Sequence, residues 1–217
     1  MVEYAIISTG SKGNSVIIGT QILIDCGVSF KALAPFISPL KLVLLTHIHG
    51  DHFNAKTIGK LAKERPTLRF ACGNWLINNL LDAGVSPRNI DIMEGGAAYQ
   101  YPTYTIEPFG LFHDVPNIGY KVRFYDGGRV FYATDAGNLT NIVAKNYDLY
   151  LIEGNYDEDE ITERIRNKED NGTYVHEYRS IKYHLSKTQC VEFFMQNAGP
   201  NGKFVYLHEH DGEGREK

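Results

Sequence analysis

The sequence predicts an α+β fold, whose mixed strands and helices agree with an αβ/βα sandwich. Three observations predict it. Short apolar runs of strand length alternate with helix-compatible segments along the chain. Residues of metal-binding type recur at the C-terminal ends of those runs. The 217 residues suit a single domain, 1–217, with enough chain to bury a core.

Taken in order, strands are expected near 2–8, 14–18 and 21–25, the first two separated by a Gly/Ser turn. A short helix near 29–36 precedes Lys41-Leu42-Val43-Leu44-Leu45, which reads as a buried strand. Residues 54–64 suit a helix with Asn54 as N-cap. A strand near 68–71 and a helix near 74–83, ending before Gly84, follow. Strands near 103–110, 118–125 and 128–134 make the second sheet, and Asp126-Gly127-Gly128 is a hairpin turn signal. The strand at 148–153 precedes a polar stretch, 157–180, with charges of both signs. That stretch reads either as a mobile insertion over the site or as a solvated helix and loop. Ser186 with Gln189 resembles a capping box opening a helix at 187–197, which leads through Gly199-Pro200-Asn201-Gly202 to a final strand.

The chemistry sits where the strand at 41–45 leaves the core. Thr46-His47-Ile48-His49-Gly50-Asp51-His52 places three histidines and an aspartate within six positions. His47 and His49, two apart in extended chain, point to one side, and Asp51 and His52 follow around the turn. Imidazoles and carboxylates ligate zinc and similar ions, and a catalytic ion keeps an open position beside three protein groups. Four candidate ligands in so short a span suggest two ions, which together need roughly seven ligands. His113, Asp135 and His208 each follow an apolar run and can supply the rest. Any one of them alone reads better as a capping Asp or a satisfied core His, and the cluster alone could be a His-rich surface loop. Their joint recurrence argues against both readings.

These motifs resemble those of the metallo-β-lactamase superfamily, which implies a fold of two packed β-sheets flanked by helices, and the likeness runs along almost the whole chain. Ser8-Thr9-Gly10-Ser11-Lys12-Gly13-Asn14-Ser15 and Ile22-Leu23-Ile24-Asp25-Cys26-Gly27 resemble its opening hairpin, whose aspartate supports the ligands from behind. Leu151-Ile152-Glu153-Gly154-Asn155-Tyr156-Asp157 and Tyr183-His184-Leu185-Ser186 are similar to segments of the small YycJ-like branch and its ribonuclease Z and ribonuclease J relatives. The resemblance implies one ion held by His47, His49 and His113, a second held by Asp51, His52 and His208, and Asp135 bridging the two. The last motif offers both His208 and His210; His208 is preferred because it directly follows the strand. Asp51 is also expected to steer the attacking water. The resemblance further implies that His184 contacts substrate and donates a proton, a task that suits an imidazole of ordinary pKa near 6.5. The bland alternative is that His184 merely packs before a helix cap. His176, in the polar stretch, is the weaker candidate for the same role.

Composition limits the partners. A net charge of −4 argues against a broad, non-specific grip on nucleic acid. Local basic groups (Lys63 and Arg65, or Arg164, Arg166 and Lys168) read equally well as solvated helix faces, and metal charge can hold one phosphodiester unaided. No run approaches the length of a membrane span, and the first residues read as a strand rather than a leader. Cys26, Cys72 and Cys190 show no pairing pattern, as expected of thiols in a reducing cytoplasm. The expected function is a metal-dependent hydrolase with two divalent ions, zinc foremost and manganese or iron as alternatives. It is expected to be a phosphodiesterase that uses a metal-activated water on nucleic acid or a cyclic nucleotide. A thioester or lactone hydrolase of the glyoxalase II or lactonase type is the alternative, and a non-catalytic metal-binding protein the third reading. The relatives make a homodimer an expected assembly.

Overall fold

Strands β2 (Ser15–Ile18), β3 (Ile22–Ile24) and β4 (Leu42–Leu44) are buried at every position, which is why they read as unbroken apolar runs. In the computed structural model, which describes residues 2–208, they are central strands of a six-stranded sheet. Its order is β1 (Tyr4–Ser8), β2, β3, β4, β5 (Arg69–Cys72) and β6 (Ile90–Ile92), with β3 to β6 mutually parallel. The second sheet runs β7 (Tyr99–Gln100), β8 (Tyr104–Leu111), β9 (Asn117–Phe124), β10 (Arg129–Ala133), β11 (Leu149–Glu153) and β12 (Lys203–Leu207). β7 to β10 are an antiparallel meander, while β10, β11 and β12 are parallel.

Period-two alternation assigns each strand residue to a layer. Ile22, Ile24, Leu42 and Leu44 meet Ile106, Tyr120, Val122, Val130, Tyr132 and Leu151 between the sheets. Their neighbours Leu23, Val43, Leu45 and Phe70 face outward onto helices α1 (Phe30–Leu33), α2 (Ala55–Glu64) and α3 (Ile77–Asp82) through Leu33, Ile58, Leu61 and Leu80. On the other side Phe131, Tyr150 and Ile152 meet Cys190 and Phe193 of α6 (Lys187–Asn197). The layers are therefore helix, sheet, sheet, helix.

The local signals that hold are those with a specific hydrogen-bond mechanism. Asn54 caps α2 by accepting from Thr57 N at 3.1 Å. Ser186 and Gln189 form the reciprocal capping box of α6. Gly127, at φ 105°, turns the β9–β10 hairpin in the left-handed region that disfavours any residue with a side chain.

Three expectations need correction. The helix expected at 29–36 is α1 alone, because Pro35 supplies no N–H and the chain tightens to a 3₁₀ turn at Ala34–Phe36. The helix expected at 74–83 likewise opens as a 3₁₀ turn and is α-helical only over α3. β6 and β7, of three and two residues, were not expected; pieces so short carry no readable period. For 157–180 the structure agrees with the solvated helix and loop and adds a second helix: α4 (Glu158–Asp170) and, after a turn, α5 (Glu177–Tyr183). Asp157 caps α4 and three acidic residues occupy its first turn, where the helix dipole favours them. Among the described residues no helix is long and apolar enough to cross a membrane.

Candidate metal centre

The C-terminal ends of β3, β4, β8, β10, β11 and β12 open on one edge of the sandwich. Three turns there use a left-handed backbone on a non-glycine residue: Asp25 at φ 58°, Asp135 at φ 54° and His208 at φ 52°. Each side chain is swung out of its strand at a cost of order 1–3 kcal/mol, which the surrounding hydrogen bonds must offset. Asn117 Nδ2 holds the turn at Asp135 by donating to the Thr134 and Asp135 carbonyls at 3.0 and 2.8 Å. His208 N donates to Thr9 Oγ1 at 2.6 Å, and Asn155 Nδ2 donates to its carbonyl at 3.2 Å.

The structure brings the histidines of the cluster together with the strand-end residues. Nitrogens of His47, His49 and His113 lie within 4.8 Å of one another, as do ligand atoms of Asp51, His52 and His208. Asp135 lies between the two groups. Its Oδ2 is 3.0 Å from His52 Nε2, and its Oδ1 is 3.6 Å from His208 Nε2 and 4.0 Å from His113 Nε2. His210 lies outside the described residues. His176 is on the exposed flank of the insertion, where its Nδ1 lies 3.0 Å from Lys168 Nζ.

Behind these groups stands Asp25, fully buried. It accepts from Thr46 N at 2.9 Å, Thr46 Oγ1 at 2.9 Å and His52 Nδ1 at 2.7 Å. Thr46 Oγ1 in turn accepts from His47 Nδ1 at 2.9 Å. His113 Nδ1 donates to the Tyr183 carbonyl at 3.2 Å. In all three rings Nδ1 is thus occupied and Nε2 is turned into the centre, which is how proteins orient a ligating imidazole. Burial, reinforced by the neighbouring imidazoles, holds His47 neutral with its pKa pulled down to about 2. Its buried Nε2 has no hydrogen-bond partner. A buried, neutral nitrogen left without a partner inside a cage of N and O donors fits a divalent metal.

Three residues of the centre were not singled out by sequence. Glu153, the fully buried last residue of β11, places Oε1 2.5 Å from His184 Nδ1 and 3.4 Å from His208 Nδ1. Its Oε2 accepts from Ala136 N at 2.9 Å, so its oxygens are occupied in orienting imidazoles and a turn. The strand-end signal that picked His113 and Asp135 applies to Glu153 equally. Asp114 puts Oδ1 3.1 Å from His113 Nε2 and 3.3 Å from His49 Nε2 while pairing with Arg179 of α5. Asn14 of the opening turn reaches His52 Nε2 at 2.8 Å and Asp51 Oδ2 at 3.2 Å.

His184 follows α5 directly and stacks on His208, ring centroids 5.4 Å apart and planes 6° from parallel. Burial lowers its pKa, but the Glu153 hydrogen bond and charge outweigh that and raise it above the ordinary value. With Nδ1 paired to Glu153, Nε2 is the ring's remaining nitrogen.

A family model described as the beta-lactamase superfamily domain matches residues 20–208. The chain belongs to that superfamily. Its fold is the metallo-β-lactamase fold and it is a metal-dependent hydrolase. Among solved structures, the metallo-β-lactamase fold protein YhfI from Bacillus subtilis superposes with a TM-score of 0.74 at 16% identity, over 98% of this chain and 88% of that one. Human tRNase Z, short form, gives 0.69 at 14% identity over 97% and 93%. A long form RNase Z from yeast gives 0.67 at 12% identity, covering all of this chain (100%) and 39% of that one. At such identities the likeness is one of fold. No curated protein matches the sequence.

Proposed function

We propose that the protein is a phosphodiesterase acting on nucleic acid or a cyclic nucleotide. The observation that carries this reading is the His184–Glu153 pair beside the His/Asp cluster, 2.5 Å apart. A sugar alkoxide leaves a phosphodiester only when it is protonated, whereas the thiolate of a thioester has little need of a proton. A buried glutamate holding an imidazole at the mouth of the centre suits the first task and is superfluous for the second. The likeness to two RNase Z structures supports the same reading.

Two divalent ions, zinc foremost, would be held by His47, His49 and His113 and by Asp51, His52 and His208, with Asp135 shared. When bound they supply Lewis acidity and positive charge for the phosphate. Asp51, partly exposed at the centre, accepts a proton from the attacking water and aims it. His184 Nε2 delivers a proton to the departing oxygen, and Glu153 fixes the ring and its charge. The three buried free thiols agree with a cytoplasmic location, and a homodimer is the assembly we expect.

The test is a panel on metal-replete protein: bis-p-nitrophenyl phosphate, cyclic nucleotides, short DNA and RNA, a lactone and a thioester, with metal analysis. We expect phosphodiester turnover and two ions per chain. Turnover confined to the lactone or thioester, or one ion at saturation, overturns the reading.

A further inference from the structure

Phe112 and Tyr183 each immediately precede a residue of the centre, His113 and His184. Their rings lie 5.8 Å apart, 27° from parallel, and Tyr183 meets His113 edge-on at 5.9 Å. The pair is held from behind. Gly137 N donates to the Phe112 carbonyl at 2.8 Å, and the His113–Tyr183 hydrogen bond ties the loop after β8 to the end of α5. A Cβ on Gly137, two residues from Asp135, would run into the Lys182 carbonyl and the Phe112 ring. Yet Phe112 remains 51% exposed. A ring fixed on one side by glycine and tyrosine and left half in water contributes little to the core. Lys182 places Nζ 4.8 Å from the Tyr183 ring, adding positive charge to the same wall.

We propose that Phe112, backed by Tyr183, is a platform on which an unpaired nucleobase of the substrate stacks. This rests on the phosphodiesterase reading and narrows it. The substrate class is then a nucleotide or a single-stranded nucleic-acid end, because duplex bases are already stacked on each other. Every base offers a π-face, so the platform selects for the presence of a base and little for its identity. Lys182 can meet a base carbonyl or a neighbouring phosphate from the same side.

The test uses metal-loaded protein and two probes, adenosine 5′-monophosphate and ribose 5-phosphate, titrated calorimetrically against wild type, Phe112→Ala and Phe112→Trp. The wild type should bind the adenosine probe roughly tenfold tighter or more. Phe112→Ala should close that gap, and Phe112→Trp should keep it. Ribose 5-phosphate has no base, so its affinity reports collateral damage to phosphate binding. Equal affinities in the wild type, or a gap that survives Phe112→Ala, overturns the platform. If bis-p-nitrophenyl phosphate is still hydrolysed in that case, the phosphodiesterase reading stands without it; if no phosphodiester is hydrolysed and neither probe binds, both fall.

Discussion

On the proposed mechanism a single side chain, His184, separates proton donation from metal chemistry, because it lies outside the proposed ligand set. Its Nδ1 rests on Glu153 and it lies 3.7 Å from Asp135 Oδ1. His184→Ala should slow substrates with sugar-alkoxide leaving groups by roughly 10²–10⁴-fold and p-nitrophenyl esters much less, at unchanged metal content. Equal slowing of both classes would make His184 a positioning residue only. The pH profile carries the same information. Glu153 holds the His184 pKa above the ordinary imidazole value, so on the proposed role the protonated, donating form persists to higher pH and activity should fall on the alkaline side of that value. Glu153→Gln removes the charge and should move this alkaline limb to lower pH for alkoxide substrates. A limb that stays in place would assign it to another group.

At the scale of elements, the centre depends on loops pressed against each other more closely than side chains permit. Gly27, just after β3, is the clearest case. A Cβ there would overlap the Asp51 carbonyl and come within 2.8 Å of Asn14 N. Through that gap Asn14 N donates to the Asp51 carbonyl at 2.6 Å and Gly27 N to the Asn14 carbonyl at 2.9 Å. Gly27→Ala should therefore push the His47–His52 loop away, costing about 1–3 kcal/mol of stability and lowering metal occupancy. Thermal melting without metal, paired with metal analysis, reads both; a variant that melts and loads like wild type would refute the close approach. Such packing is invisible in a single sequence. What the sequence did make legible was the local hydrogen-bond chemistry, such as the caps at Asn54 and Ser186, together with the strand-end placement of His113, Asp135 and His208. The pairing of Glu153 with His184 and of Asp114 with Arg179 joins residues 31 and 65 positions apart. No spacing rule reaches that far. One helix was among the readings of 157–180, but the bounds of α4 and α5 were not legible because few of their residues are buried, Ile161 and Glu177 among them.

For the whole molecule, the sandwich gathers Asp25, Asp135 and Glu153 into one buried volume, a costly arrangement unless positive charge is present. In the metal-free molecule the histidines provide it. Burial alone would lower the pKa of His52, but the charges of Asp135 and Asp25 outweigh it and raise it to about 10. His208 is likewise raised well above its usual value, with Asp135, Asp51 and Glu153 overcoming burial. His47 and His113 go the other way, lowered first by burial. Ligation needs neutral imidazoles, so on the proposed ligand assignment loading the Asp51, His52 and His208 group must expel protons, whereas His47 and His113 are already neutral. At pH 7 the titration heat of zinc should therefore depend on the buffer's ionisation enthalpy, with about two protons released per chain. Below the raised pKa values each displaced proton should weaken apparent affinity about tenfold per pH unit. As pH falls, the ion proposed at His52 and His208 should then leave before the one proposed at His47, His49 and His113. Buffer-independent heats, or both ions lost at the same pH, would show that groups other than these histidines balance the buried carboxylates before metal is added.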